Sequence, residues 1–395
     1  MSNPERTVVT GAGLAGLRTV EELRRRGYSG QVTLIGAEQR PPYDRPPLSK
    51  KVLTSGIDPS LHADFAALEV DFRRGETAVA LEFQDAALVT NHDKYGFDHL
   101  VIATGAVPVA LPGPGPQRFL RTYDDALALR ALLRPGLRLA IVGAGWIGAE
   151  LATAAAAAGC VVTVVESAAT PLSAALGAAV GERTSGWYGQ AGVELRTGTA
   201  VESVEPGGLA LAGGWLAAEE VVTAIGVRPA VGWLAGSGVA VGNGIDVDPG
   251  LRASLPGVYA AGDCAAFLSQ RFGRRLRVEH WDTALHAPEV VAANILGGAE
   301  VYDPVPYFWS EQFGRMVQYA GHHTAADRLV WRGDPAAGSW SACWLAAPDS
   351  RLTAVLSVNS PRELLAGRRL IAAAAEVDPA RLSDPAIPMR HQGSA

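Results

Sequence analysis

Residues 7–16 read TVVTGAGLAG, and residues 139–148 read LAIVGAGWIG. In each, a short β-branched or apolar run (Thr7–Thr10, Leu139–Val142) enters a GxGxxG turn, Gly11 to Gly16 or Gly143 to Gly148. The residues beyond the turns match as well. After the first turn an amphipathic stretch, Leu17–Arg26, stops at Gly27, and a strand, Gln31–Ile35, ends close to Glu38. After the second, a helix of small residues runs to Gly159 and the strand Val161–Val165 ends at Glu166. This spacing predicts two β–turn–α–β units of about 30 residues each.

The chemistry of such a turn is steric and electrostatic. The first glycine permits the tight turn, the second lets a pyrophosphate approach the backbone, and the third lets helix and strand pack closely. The phosphates then meet the positive N-terminus of the helix, and the acid beyond the second strand accepts ribose hydroxyls. One such turn is a weak signal. Two complete copies, with an acid 27 and 23 residues after the first glycine (Gly11 to Glu38, Gly143 to Glu166), make a strong one. The pair implies that the chain binds two dinucleotides.

Outward from these units, short strands end in small residues: Leu100–Ala103 at Thr104-Gly105, Glu220–Ile225 at Gly226, and Val258–Ala261 at Gly262-Asp263. The stretch Ala106–Gly115, rich in Pro and Gly, reads as a crossing between domains, and a second crossing is expected near Val227–Gly236. The expected layout is a discontinuous first domain (1–107 and 236–305), a second dinucleotide domain inserted into it (108–235), and a third domain (306–395). The third is expected to be α+β, because PYFWS, MVQYA, RLVWRG, SACWL and LTAVLSV are strand-like and a helix is expected around Pro361–Glu376. The tail Met389–Ala395 is expected to fray. The fold class is therefore α/β, with two three-layer Rossmann-like domains and a C-terminal α+β domain.

Bulk properties exclude several alternatives. The 395 residues are 48% apolar and 19% charged, with no run long enough to span a membrane. The N-terminus passes almost directly into a strand without a signal-peptide pattern, so the expectation is cytoplasmic. A net charge of −6 argues against nucleic acid. Cys160, Cys264 and Cys343 form no close pair, which excludes a zinc cluster built on such pairs and a local redox disulfide. No metal site is expected.

Seven segments, in order, carry a resemblance: GAGLAG (11–16), YDRPPLSK (43–50), VIATGA (101–106), GAGWIGAEL (143–151), VYAAGDCA (258–265), VEHW (278–281) and FWSEQFG (308–314). Together they resemble the FAD- and NADH-linked ferredoxin reductases of the putidaredoxin, rubredoxin and biphenyl-dioxygenase systems. Apoptosis-inducing factor is a more distant likeness. The resemblance implies a glutathione-reductase-like architecture with FAD at the first fingerprint and the nicotinamide nucleotide at the second. It places Gly11, Gly13, Leu14, Ala15, Gly16, Glu38, Arg45, Lys50, Ala103, Thr104, Gly105, Gly262, Asp263 and Trp281 at FAD. It places Gly143, Gly145, Trp146, Ile147, Gly148, Glu150, Glu166, Gly226, Glu279 and Trp309 at NADH.

Within that set the resemblance pairs Lys50 with Glu150 and makes Trp309 the aromatic that stacks on the nicotinamide; these three are the catalytic candidates. A lysine beside an isoalloxazine stabilises the anionic reduced ring. Asp263 is implied to bind the ribityl chain, Glu279 to approach the carboxamide, and His280 is a weaker proton-donor candidate. Glu166 selects NADH over NADPH, because a carboxylate accepts from a 2′-hydroxyl and repels a 2′-phosphate, and Ser167–Thr170 holds no base. With Pro-Pro-Leu-Ser-Lys where some disulfide reductases carry their cysteine pair, electrons are expected to leave the flavin directly.

The expected acceptor is a small iron–sulfur ferredoxin serving a cytochrome P450 or a ring-hydroxylating dioxygenase. It would dock transiently on a basic cluster, either Arg73-Arg74 or Arg271/Arg274/Arg275/Arg277, the chain being a monomer or weak dimer. A rubredoxin reductase, an NADH oxidase and a redox-gated signalling protein are the alternatives.

Overall fold

The structure, a computed structural model, describes residues 5–392. It divides into two compact units, residues 5–44, 59–107 and 228–306 in the first and residues 45–58, 108–227 and 307–392 in the second.

The first unit is built on a five-stranded parallel sheet in the order Val258–Ala260, His99–Ile102, Arg6–Thr10, Gln31–Gly36, Val70–Arg74. The four strands other than the edge strand Val70–Arg74 are largely apolar on both faces, as a sheet covered on both sides requires. Val9, Leu34, Leu100, Val101, Ile102 and Ala260 are fully enclosed. The first fingerprint helix, Leu14–Arg25, packs against the helix Trp281–Ile295. It starts three residues earlier than the apolar pattern suggested, since Gly13 itself is the N-cap.

The second unit holds a four-stranded parallel sheet in the order Glu194–Arg196, Val161–Val165, Arg138–Val142, Glu220–Thr223, with its fingerprint helix spanning Trp146–Ala157. Each unit also carries a three-stranded antiparallel meander, Ala78–Gly96 in one and Val201–Ala217 in the other.

The C-terminal part of the second unit is a five-stranded antiparallel sheet in the order Tyr307–Gln312, Arg315–Gly321, Arg351–Val358, Trp340–Ala346, Arg328–Arg332. The helix Pro361–Ala372 packs on it. Leu172, Leu176, Val180 and Trp187 of the dinucleotide fold share one apolar core with Tyr319, Trp340, Trp344 and Leu356 of this sheet.

The tail does not fray as far as Gln392. Met389 is 1% exposed, and the Gln392 side-chain amide donates to the carbonyls of Arg381 and Ile387. Upstream, the buried guanidinium of Arg332 collects the carbonyls of Leu382, Asp384 and Ile387 and pairs with Glu363, so the segment is held by a charge that needs its acceptors. Residues 393–395 of that expectation lie outside the described residues. Among the described residues no helix is long and apolar enough to cross a membrane.

Candidate active site

In the first unit the site residues gather at the carboxyl ends of the parallel strands, where an open α/β sheet places its ligands. Gly11 has φ +106°, and a Cβ there would lie 2.1 Å from the Ala103 carbonyl oxygen. A Cβ on Gly16 would lie 1.9 Å from the Gly11 carbonyl oxygen. At Gly13, by contrast, a Cβ would meet nothing within 4 Å. The third glycine is therefore demanded by packing, whereas the middle one faces open space at a helix N-terminus that no side chain caps. This is a bare, positively polarised cradle of the kind a pyrophosphate occupies.

Around it, a Cβ on Gly262 would lie 3.1 Å from that of Ala15, the Thr104 hydroxyl donates to the Ala230 carbonyl, and the Gly105 carbonyl accepts from the Ala230 amide. Glu38 accepts from the Tyr43 hydroxyl at 2.7 Å, and Trp281 Nε1 donates to Asp44 at 2.9 Å. Thr104 is thus occupied by scaffold. The Asp44 carboxylate that fixes the Trp281 indole was missed in the sequence, although it lies inside YDRPPLSK.

His280 sits with its Nδ1 buried, and burial pushes its imidazole down to about 4 despite the nearby Asp263 carboxylate. The ring is therefore neutral in the physiological range, with one N–H to share rather than the extra proton of an imidazolium. Glu279 is on the exposed side and pairs with Arg277.

The second unit repeats the cradle. Gly143 has φ +101° and would place a Cβ 2.5 Å from the Ala224 carbonyl oxygen; Gly148 would place one 2.0 Å from that of Gly143. Gly145 and Gly226 again meet nothing within 4 Å. Glu166 is held by the amides of Ala144 at 2.7 Å and Ala168 at 2.8 Å, so its carboxylate is fixed beside the turn. Trp146, first residue of the helix, packs edge-on against Phe308, with ring centroids 4.4 Å apart. Ile147 is exposed.

The structure brings Lys50 and Glu150 together from 100 residues apart, Nζ to Oε2 at 2.8 Å, with the carboxylate 3% exposed. Ser49 donates to the same oxygen. The other oxygen, Oε1, accepts from the Ser310 hydroxyl at 2.6 Å and from the Glu311 amide at 3.2 Å. One helical turn on, Thr153 Oγ1 accepts from the Phe313 amide at 2.9 Å. Tyr307–Gln312 is an edge strand, and with these two side chains the fingerprint helix covers the amide of Glu311 and that of Phe313 just beyond the strand, groups that would otherwise be open. On the opposite face of the strand, Trp309 stacks on Tyr307 at 6.1 Å, and Arg368 lies over the Tyr307 ring. Arg45 donates to the Arg121 carbonyl within the same unit. Ser49, in the helical turn Leu48–Val52, and Ser310 and Gln312, in the strand, were missed because uncharged polar residues carry no sign of burial.

The sequence profile of the pyridine nucleotide-disulphide oxidoreductase family matches residues 5–287, and that of the reductase C-terminal domain matches residues 307–392. The chain belongs to the pyridine nucleotide-disulphide oxidoreductase family. It is 37% identical to the ferredoxin–NAD(+) reductase component of the anthranilate 1,2-dioxygenase system of Burkholderia cepacia, covering 97% of this chain and 98% of that one. Among solved structures, that of Fdr9 superposes with a TM-score of 0.94 at 49% identity over 98% of this chain and 99% of the other. The covalent putidaredoxin reductase–putidaredoxin complex gives 0.93 at 30% identity over 98% of both.

Membership in this family, with NAD(+)-linked ferredoxin reductases as relatives, implies FAD and NADH as cofactors. The residues present fit both. Each unit has a turn whose first and third glycines leave no room for a Cβ and whose middle glycine faces open space at a helix N-terminus that no side chain caps.

Proposed function

We propose that this chain is an NADH-dependent ferredoxin reductase, binding FAD at Gly11–Gly16 and NADH at Gly143–Gly148 and passing electrons to a small iron–sulfur ferredoxin that serves an oxygenase. The observation that carries this reading is the buried Lys50–Glu150 pair in a chain with two nucleotide cradles and no disulfide. Cys160, Cys264 and Cys343 are free thiols, and Cys264 and Cys343 are buried, their thiols pushed up by desolvation. Bound FAD supplies what no side chain has, uptake of a hydride from the nicotinamide and release of electrons one at a time.

The chain's residues do the rest. The amides at the two helix N-termini hold the pyrophosphates, and Asp263 takes the ribityl hydroxyls. The Glu166 carboxylate, fixed by two amides, accepts from the 2′-hydroxyl of NADH and repels the phosphate of NADPH. Trp309 offers an indole plane to the nicotinamide, and such stacking contributes about 0.5–1.5 kcal/mol. Lys50 offers its ammonium to the reduced flavin, and Glu150 keeps Lys50 in place.

The arginine-rich strand Arg274–Arg277 is a weaker docking candidate than its sequence implies. Arg275 is spent on the carbonyls of Val247 and Ala266 and on Asp246, and Arg277 on Glu279, Asn243 and the Asp263 carbonyl. Arg73 is paired with Asp71. A transient, salt-sensitive contact fits this distribution. The cytoplasm, where NADH is available, is the compartment this reading requires.

Rapid mixing tests it. FAD-loaded protein is reduced with NADH or NADPH and then offered ferredoxin, rubredoxin or oxygen. The reading expects fast reduction by NADH, slow reduction by NADPH, and reoxidation fastest with ferredoxin. Rapid turnover with oxygen alone contradicts it.

A further inference from the structure

Glu150 divides its two oxygens between two parts of the second unit. Oε2 serves Lys50 and Ser49, and Oε1 serves Ser310 and the Glu311 amide. Behind Ser310 stands Gln312, whose side-chain amide donates to Ser310 Oγ at 3.0 Å. Ser310 is 1% exposed and Gln312 2%, so water completes neither bond.

The direction of this chain is fixed by its donors. An amide N–H donating to the hydroxyl oxygen turns the hydroxyl proton toward Glu150, which as a carboxylate can only accept. We propose that Ser310 and Gln312 are positioning residues for flavin reduction: they hold Glu150 from the side of the C-terminal strand so that Lys50 keeps one orientation toward the flavin. This rests on the functional reading above. Ser310 also adjoins Trp309, so the strand that presents the stacking aromatic is the one that clamps the carboxylate. Stacking and charge placement are thereby linked through a single segment of backbone. Two buried partners with full hydrogen bonding make such a network rigid, and loss of one member leaves the rest misdirected.

The test compares Ser310→Ala, Ser310→Thr and Gln312→Met by stopped-flow reduction with NADH and by the midpoint potential of the bound flavin. Removing one hydrogen bond to a buried charge is expected to lower the limiting reduction rate about tenfold in Ser310→Ala. The NADH concentration giving half that rate should change little, and the flavin potential should move to more negative values, because the cation is held less well. Ser310→Thr, which keeps the hydroxyl, should recover most of the rate, and Gln312→Met should move rate and potential in the same direction as Ser310→Ala by less. A wild-type rate in Ser310→Ala overturns the proposal, as does a slower rate with an unmoved potential and no recovery in Ser310→Thr. Failure of the unaltered protein to be reduced by NADH would instead remove the functional reading itself.

Discussion

The two fingerprints share their steric plan and part company seven residues after the first glycine. In the first unit that position is Arg18, which pairs with Glu21 at 2.5 Å while remaining 38% exposed. In the second it is Glu150, 3% exposed and surrounded by four donors. Three residues further on the contrast repeats, with Glu21 half-buried beside Arg18 and Thr153 covering the amide of Phe313. The turn itself thus identifies only a phosphate cradle. What differs between the copies is the helix face that leads away from the turn.

The largest expected effects test whether the two cradles are separable. Gly16→Ala, whose Cβ would lie 1.9 Å from the Gly11 carbonyl oxygen, should yield protein without FAD, measured by its flavin absorbance after purification. Gly148→Ala meets a carbonyl at 2.0 Å in the other unit and should keep FAD while losing NADH binding. Loss of FAD from Gly148→Ala would show that the second cradle is not confined to the nicotinamide nucleotide.

Next comes the divergent position. Glu150→Ala strands a buried lysine and two hydroxyls, and breaking a buried pair this way costs about 3–5 kcal/mol. Arg18→Ala removes a partly exposed pair and should cost at most about 1 kcal/mol. Denaturant unfolding of both variants measures the gap, and equal losses would erase the contrast between the two helix faces.

A smaller effect comes from one shielded histidine in each unit. Burial pushes both His280 and His323 down to about 4 from an ordinary value near 6.5. Above 6.5 neither state takes the extra proton; as the pH falls from 6.5 toward 4 the unfolded chain gains protons that the folded chain refuses. Stability is therefore lost across that window, by at most about 2 kcal/mol per histidine at pH 5. His323→Gln should flatten the acid side of the unfolding midpoint against pH, and an unchanged slope would remove His323 as a cause.

The smallest is Glu166→Gln, expected to reduce the preference for NADH over NADPH by about tenfold, worth about 1.4 kcal/mol. The ratio of the two reduction rates measures it.

The range of the forces involved decides how much of this could be seen in the sequence. The two turns are legible because their requirements are local: a glycine where a Cβ would strike a carbonyl leaves its mark on the sequence whatever the rest of the chain does. The antiparallel strands after Pro304 are legible for the same reason, through their apolar and aromatic runs. The partnership of Lys50 with Glu150 spans 100 residues and entered only through resemblance, and the Ser310–Gln312 support behind it left no pattern at all. In the arginine cluster at 271–277 the sequence shows adjacent charges but not their partners: Arg275 meets Asp246 and two carbonyls, and Arg277 meets Glu279, Asn243 and the Asp263 carbonyl. The tail ended differently from its composition because a buried arginine, far upstream at Arg332, needed its carbonyls.

Conversion of one hydride into two single electrons is tested most directly by an electron count under anaerobic conditions. FAD-loaded protein is given a limiting amount of NADH in the presence of excess oxidised ferredoxin, and both products are measured. The expected result is two ferredoxins reduced for each NADH consumed. NADH consumption that leaves the ferredoxin oxidised would contradict it.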